Sequence, residues 1–117
     1  MPGYYQLIEG HTGGFMFVLR ADNHETILES RLYWSRQAAL DAVAAVRECS
    51  QHAACYQRRQ TDEGMHCFEL QDLEGRLLGR GPPRRQRSRL AAGIASVQRN
   101  APSDIFRGLV RRALVPG

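Results

Sequence analysis

The chain has 117 residues, of which 43% are hydrophobic and 24% charged, and its formal net charge at pH 7 is +4. This length supports one domain with a single core, and the composition is that of a globular protein rather than a disordered one. Its apolar runs are far shorter than the roughly 20 residues that cross a bilayer, so we expect no membrane partner and a cytoplasmic location.

The positive charge is concentrated in the second half of the chain. Residues 1–58 contain 5 Arg and 6 acidic residues, whereas residues 59–117 contain 11 Arg and 6 acidic residues. Any electrostatic partner should therefore meet the second half. The three cysteines are an odd number, which favours reduced thiols over a disulfide framework.

Hydrophobic periodicity predicts three strands and a helix in the first half. The strands are at residues 4–9, 15–20 and 26–30. A glycine-rich turn at residues 10–14 separates the first two. Ser35 is a good N-cap for a helix over residues 36–48, in which alanine and valine recur at helical spacing.

The same plan returns in the second half, at a constant offset of 51 residues. Strands are predicted at residues 55–60, 65–71 and 77–80, and a helix at residues 87–100. The shift superimposes identical residues without a gap: Tyr5 on Tyr56, Gln6 on Gln57, Gly13 on Gly64, Phe17 on Phe68, Leu19 on Leu70, Arg36 on Arg87, Ala44 on Ala95 and Val46 on Val97. The matched residues fall at apolar and turn positions, which indicates two copies of one unit.

We therefore predict a single α+β domain over residues 1–117, built of two β-β-β-α repeats at residues 4–50 and 55–101. Their strands should form one antiparallel sheet with the helices packed on one face. A C-terminal extension, residues 102–117, should add a basic helix capped by Ser103, with a short strand as the alternative.

The core should come from the inward faces of the strands and helices. The residues expected there are Phe15, Phe17, Leu19, Ile27, Val43, Val46, Phe68, Leu70, Leu78, Ile94 and Val97. Tyr33 and Trp34 should form a hydrophobic plug between the first helix and the sheet, or a contact surface if they are exposed.

Two stretches resemble the YegP-like family of small bacterial proteins. One is Gly-Ile-Ala-Ser-Val-Gln-Arg-Asn-Ala at residues 93–101, and the other is the strand, turn and strand over residues 17–30. The resemblance covers about residues 4–101 and implies a continuous antiparallel sheet with helices packed on it. It implies no activity and no catalytic residues, because the function of that family is unknown. The chain departs from the family at Ala42 and Val43, where a Gly-Ile pair is usual, and at the arginine-rich stretch after Pro82 and Pro83.

A cluster of arginines opens the second helix. Arg84, Arg85, Arg87 and Arg89 follow the diproline, and guanidinium groups on a loop that begins a helix suit phosphate oxygens. We predict a binding module that contacts an anionic partner, such as nucleic acid or another polyanion, through these residues. The alternative is a basic face that is solvated and binds no partner, because few aromatic residues lie nearby and no known nucleic-acid motif is present.

The second functional hypothesis is an interaction protein that associates through sheet edges or through an uncovered sheet face. On that face Met16 and Val18 would be apolar and exposed. The chain would then be a monomer or a weak homodimer, with a mass that depends on concentration.

Metal binding and catalysis receive weaker support from the sequence. A zinc site could be drawn from Cys49, His52, Cys55, His66 and Cys67. The spacing is weak evidence, so we expect no metal and small buried or half-buried thiols instead. No nucleophile lies at a spacing that forces contact with a base, so we expect no enzyme and no cofactor.

Overall fold

The computed structural model describes residues 3–112 and contains one mixed sheet and two helices. The strands are β1 Tyr4–Gly10, β2 Phe15–Arg20, β3 Thr26–Ser30, β4 Tyr56–Gln60, β5 His66–Gln71, β6 Leu77–Arg80 and β7 Phe106–Arg112. The helices are α1 Arg36–Cys49 and α2 Arg89–Asn100, and a short 3₁₀ turn, Ala53–Cys55, precedes β4. These bounds lie close to the predicted ones. Residues 113–117 of the predicted extension lie outside the described residues.

The sheet consists of two antiparallel three-stranded meanders joined at their third strands, with one further strand at an edge. The strand order is β4-β5-β6-β3-β2-β1-β7. Strands β3 and β6 pair antiparallel in the middle, with Glu29 opposite Arg80 and Ser30 opposite Gly79. The prediction of an entirely antiparallel sheet is wrong at one place, because β7 runs parallel to β1.

Both helices pack into the same hydrophobic core. Ser35 caps α1 as predicted, since its hydroxyl accepts a hydrogen bond from the Ala38 N–H at 3.0 Å. Alanine and valine on one side of α1, Ala39 and Val43 among them, are buried with Leu90 and Val97 of α2. Small side chains on α1 allow it to lie close to the sheet.

Most of the predicted core is buried. Phe17, Leu19, Ile27, Val43, Val46, Phe68, Leu70, Leu78 and Val97 belong to the main core, whereas Phe15 and Ile94 are half-buried and pack against it. The prediction omitted Tyr5 and Leu28, each of which is completely buried. Tyr5 can lie there because its hydroxyl donates a hydrogen bond of 2.8 Å to the Ala101 carbonyl.

The C-terminal basic helix predicted after Ser103 is wrong, and the alternative, a strand, is what forms. The Ser103 hydroxyl donates to the Gly3 carbonyl at 2.6 Å, which directs the chain towards β1. Gly108 then adopts a φ of 56°, a left-handed conformation that interrupts a helix. Strand β7 satisfies peptide groups along β1 that would otherwise face solvent, beginning with the Tyr5 N–H, which donates to the Ile105 carbonyl at 2.9 Å.

The prediction that Met16 and Val18 are exposed is wrong, and the hydrophobic plug expected of Tyr33 and Trp34 forms only in part. Met16 and Val18 are only 9% and 2% exposed and form a second small cluster with Ile8 on the sheet face opposite the main core. Trp34 is 78% exposed instead of plugging the core, while Tyr33 is half-buried and stacks on Phe17 with ring centroids 6.4 Å apart. Only Tyr33 packs on the core as the plug requires, because its backbone pairs with that of Phe15 and holds its ring there.

Several structural features recur at positions of the two halves that differ by 51 residues. The Tyr5 hydroxyl donates to the carbonyl of residue 101 and the Tyr56 hydroxyl, at 2.9 Å, to that of Ser50. The two-bond bridge between Phe15 and Tyr33 has its counterpart between His66 and Arg84. Residues 24 and 75, His and Gly, both take a positive φ at the same turn position.

No helix among residues 3–112 is both long and apolar enough to span a membrane.

Candidate functional site

The four arginines predicted as a contact surface do not form one uniform patch. Arg84 is half-buried, and its backbone exchanges two hydrogen bonds of 2.7 Å with His66 at the start of β5. Its guanidinium lies 3.9 Å from the Glu25 carboxylate. Arg85, Arg87 and Arg89 are exposed. Arg84 is therefore an anchored residue, and the other three are free to meet solvent or a partner.

A close approach of backbone to an aromatic ring places this loop. Gly81 lies against Phe68, where an added Cβ would come within 2.3 Å of the ring. Its N–H donates to the Phe68 carbonyl at 3.0 Å. Pro82 and Pro83 follow and cannot donate to a strand ladder, so the chain leaves β6 and turns towards α2. A side chain at residue 81 would push the whole arginine loop away from the sheet.

Arg87 belongs to an open basic cleft between the loop and the edge of the sheet. The cleft has a volume of about 190 Å³ and is lined by Arg58, Arg59, Gln60, His66, Arg87 and Leu90. Strand alternation places Arg58 and Gln60 on the side of β4 that faces α2, opposite Phe68 and His66. None of these lining residues, all within residues 3–112, is acidic. A carboxylate or phosphate entering the cleft would meet guanidinium donors from two separate elements.

Arg84 and Arg89 lie beside this cleft, around a smaller depression. They line it together with the Phe68 ring and parts of β3, the loop and α2. The Arg89 guanidinium donates to the Gln86 side-chain amide at 3.4 Å. Arg85 lines neither depression among those found for residues 3–112.

The charges around the cleft are unevenly compensated. Arg59 and Arg80 both bind Glu69 on the opposite sheet face, at 3.2 Å and 2.9 Å. Burial raises the pKa of Glu69, but the hydrogen bonds from Arg80 and Arg59 outweigh it, so the pKa of this carboxyl lies below its usual value. Arg58 and Arg87 take part in none of the ion pairs found within residues 3–112. On β4, therefore, the arginine without a carboxylate partner lies on the cleft side of the sheet and the paired arginine on the other side.

Sequence reasoning identified Arg87 but missed Arg58 and His66. These two residues stand out when the two halves of the sequence are compared at the offset of 51 residues. The equivalent positions in the first half are Leu7 and Phe15, which are apolar, whereas the equivalent of Arg87 is Arg36. Leu7 is buried and pairs with Leu109 of β7, so the corresponding place in the first half is filled by apolar contacts. A change from apolar to cationic or imidazole side chains at two such positions marks the cleft.

The cysteine and histidine residues considered for zinc are not gathered into a site. Within the described residues, no group of three or more His, Cys, Asp or Glu side chains is placed to hold a metal ion. Cys49 and Cys55 are buried and Cys67 is half-buried, as expected for small packed thiols. Burial, reinforced by the neighbouring Cys55, raises the pKa of the Cys49 thiol to about 11.

The chain is similar to bacterial proteins and solved structures for which no function is given. The family model described as a domain of unknown function, DUF1508, matches residues 11–57. A UPF0339 protein of Bordetella pertussis is 38% identical over 102 residues, covering 87% of this chain and 91% of the relative. The UPF0339 protein YegP of Escherichia coli is 33% identical over 107 residues, covering 92% of this chain and 97% of the relative.

Two solution NMR structures share the fold over nearly the whole chain. The E. coli YegP structure, of a protein of unknown function, has a TM-score of 0.88 at 30% identity and covers 97% of both chains. The structure of a UPF0339 protein from Shewanella oneidensis has a TM-score of 0.86 at 26% identity, covering 95% of this chain and 93% of the other.

Proposed function

Since the chain belongs to the YegP-like UPF0339 family of bacterial proteins, whose function is unknown, we propose a function from its own surface: it is a non-enzymatic module that binds an anionic partner. The binding surface is the basic cleft at Arg58, His66 and Arg87, with the exposed Arg89 beside it and the exposed Arg85 on the same loop. A cytoplasmic location is part of this proposal, because the three cysteines are free thiols.

One observation carries the proposal. The cleft contains two arginines that no carboxylate neutralises within the described residues, on a strand and on the approach to a helix. Arginines on two elements that line one open space, without carboxylate partners, favour the entry of an anion because both attract it. An anion with at least two charged oxygens, such as consecutive phosphates or carboxylates, can accept hydrogen bonds from arginines on both elements.

The two-repeat organisation supports the same interpretation, and we include a duplication of one β-β-β-α unit in the proposal. Recurrent hydrogen bonds at an offset of 51 residues support it. Under this duplication the first copy is closed by β7, and the second copy keeps the equivalent place open and basic. Divergence of one copy towards binding would account for the concentration of arginine in the second half.

Fluorescence anisotropy of labelled oligonucleotides and of labelled poly-L-glutamate tests the proposal. Binding of single- and double-stranded DNA, of single- and double-stranded RNA and of poly-L-glutamate is measured separately, each at low and near-physiological salt. We expect binding that weakens steeply with salt, because each phosphate contact releases about one counterion. Changing Arg58 and Arg87 to Gln should weaken binding and make the affinity less dependent on salt. Changing Arg84, Arg85, Arg87 and Arg89 to Ala should lower the affinity and its salt dependence still more.

A charge-matched variant provides the control. The control variant carries Arg36→Gln and Arg107→Gln, so it loses the same total charge. Arg36 is the first-half equivalent of Arg87, and Arg107 lies on β7 at the other edge of the sheet. This variant should retain most of the binding. Failure of every polyanion to bind at low salt, where electrostatic attraction is strongest, would refute the proposed function.

A second candidate function is a protein-interaction module that associates through a sheet edge. The observation that favours it is the edge position of β4, which pairs only with β5 in the described part of the chain. Association through the opposite sheet face loses its support, since Met16 and Val18 are buried.

A further inference from the structure

The two outer strands of the meanders, β1 and β4, meet different neighbours. Strand β1 would be an edge of the sheet, but β7 lies beside it in parallel, with Leu109 opposite Leu7 and Val110 opposite Ile8. The equivalent strand of the second half, β4, is an edge strand. The molecule thus contains one occupied and one open version of the same edge.

The local geometry of the two edges is closely similar. The Tyr5 ring contacts Phe17 edge-on at 6.0 Å and 61°, and the Tyr56 ring contacts Phe68 at 5.8 Å and 61°. On the occupied edge, Phe106 of β7 stacks on Tyr5 at 5.7 Å and 30°. Tyr5 is completely buried beneath that stack, whereas Tyr56 keeps 9% of its surface exposed. A strand beside β4 would meet an aromatic pair of the same geometry, in which Tyr56 is not completely buried.

The peptide groups of β4 that face away from β5 can be identified from the ladder. Phe68 lies opposite Arg58, and its carbonyl accepts from Gly81 on its other side. In an antiparallel pair, residues opposite each other either bond together or both point away, so the N–H and C=O of Arg58 face outward. By the same alternation the Gln60 N–H faces outward. The Tyr56 N–H is already bonded to the Ala53 carbonyl, so a new ladder begins at the Tyr56 carbonyl.

We propose that this open edge accepts an extended acidic segment of a partner polypeptide, which adds parallel to β4 as an eighth strand. The inference rests on the proposed anion-binding function and names the class of its partner. Addition of a strand to a sheet edge is a common mode of peptide recognition, with main-chain hydrogen bonds giving affinity and side-chain contacts giving specificity.

Charge complementarity identifies the occupant as acidic. The positions equivalent to Leu7 and Ile8, which face apolar residues of β7, are Arg58 and Arg59 on β4. Carboxylates at the two matching positions of an incoming strand would face Arg58 on the cleft side, where Arg87 also lines the cleft, and Arg59 on the other side. On that side Arg59 and Arg80 share the single carboxylate of Glu69, so one positive charge remains for a second carboxylate.

A second copy of this chain is a poor occupant. Pairing β4 with β4 would bring two Arg58 and two Arg59 side chains together at one edge, and like charges on neighbouring strands are destabilising. Strand β7 of a second copy carries arginines as well, at residues 107, 111 and 112. An acidic segment brings no further arginines to this edge, so it avoids both repulsions.

A synthetic peptide patterned on β7 tests the inference. The probe is fluorescently labelled Ile-Phe-Ser-Gly-Glu-Glu-Ser-Ser, which keeps the aromatic residue and glycine of residues 105–112 and places glutamates opposite Arg58 and Arg59. The control peptide has glutamine in place of both glutamates. We expect salt-sensitive binding of the acidic peptide, and slowed amide hydrogen exchange at Arg58 and Gln60 in the complex.

Gln60→Pro separates strand addition from simple charge attraction. It removes an outward N–H, which an edge strand tolerates, while all arginines remain. We expect it to weaken peptide binding by at least about tenfold. Gln60→Ala, the matched control, removes the same side chain but keeps the N–H, so the excess loss in Gln60→Pro measures the main-chain contribution. Far-ultraviolet circular dichroism and thermal melting of each variant verify the fold before binding is compared.

The three outcomes distinguish the inference from the function on which it rests. Undiminished peptide binding by a folded Gln60→Pro variant would overturn strand addition. Binding of DNA or RNA to the same arginines without binding of the acidic peptide would overturn the polypeptide partner and leave the anion-binding function in place. Binding of none of these anions at low salt would refute both.

Discussion

At Glu69, two arginines and partial burial act in opposite directions on one carboxyl group. The result is a pKa below the usual value, with the carboxylate accepting from Arg59 at 3.2 Å and from Arg80 at 2.9 Å. A carboxyl whose pKa is lowered in the folded state stabilises that state above its unfolded pKa of about 4.3. That contribution disappears as the pH falls through the folded pKa.

Glu69→Gln should therefore destabilise the protein at pH 7 and have little effect near pH 3. Both arginines are more than half exposed, so the expected cost at pH 7 is about 1 kcal/mol or less. Urea denaturation at the two pH values measures it, and Glu63→Gln, at an exposed turn, is the control. A loss of stability that is equal at both pH values would show that the charge of Glu69 is not its source.

The three thiols should differ in reactivity, because only the thiolate is nucleophilic. Burial and Cys55 raise the pKa of Cys49 to about 11, and both residues are at most 5% exposed, whereas Cys67 is half-buried on β5. Iodoacetamide at pH 8 should thus label Cys67 first, and Cys49 and Cys55 only when the protein unfolds. Peptide mass spectrometry over a time course measures this order, and equal labelling rates in native protein would contradict the packing described.

At the scale of elements, the hydroxyls of Tyr5 and Tyr56 each bind a carbonyl at the end of a helix, so the contributions of the two hydrogen bonds to stability can be compared directly. Tyr5→Phe and Tyr56→Phe each remove one hydrogen bond, to the carbonyls of Ala101 and Ser50, in otherwise similar aromatic contacts. Each should cost about 1–2 kcal/mol, since the carbonyl left behind loses its buried partner. Denaturant unfolding of the two variants measures both values. A cost confined to one of them would argue against equivalent roles in a duplicated unit.

The strands and helices of the two meanders could be predicted because their local signals agree with their environment. Alternation around Phe17 and Phe68, and Ser35 at the start of α1, each act within a few residues. Strand β7 could not be predicted in this way, since its apolar residues also fit a helical face. What decides its conformation is the unsatisfied edge of β1 and the Ser103 contact to Gly3, which join residues about 100 apart in sequence.

The site was predictable only in part, for a similar reason. The loop arginines were identified by their density in the sequence, but only Arg87 lines the cleft. Arg58 and His66 belong to strands, and their role depends on which sheet face α2 covers. Under the proposed duplication, a comparison with Leu7 and Phe15 would have revealed them, because equivalent positions of two copies should keep their polarity unless one copy has acquired another use.

At the scale of the whole molecule, the two edge strands of the described sheet are β7, which covers β1, and β4, which lies beside the basic cleft. Arg58 and Arg87 line that cleft, while Glu69 neutralises charge on the far face. We therefore expect anionic partners to meet the molecule at the β4 edge rather than across its basic surface in general.

The most direct measurement is a backbone-amide NMR titration of the isotopically labelled protein with a short oligothymidylate and, separately, with poly-L-glutamate at low salt. We predict that at least one of them shifts the resonances of Arg58, His66 and Arg87 most, and that added salt reverses the shifts. Shifts spread evenly over all exposed arginines, or centred on Arg107 and Arg111 of β7 at the other edge, would contradict binding at the β4 edge.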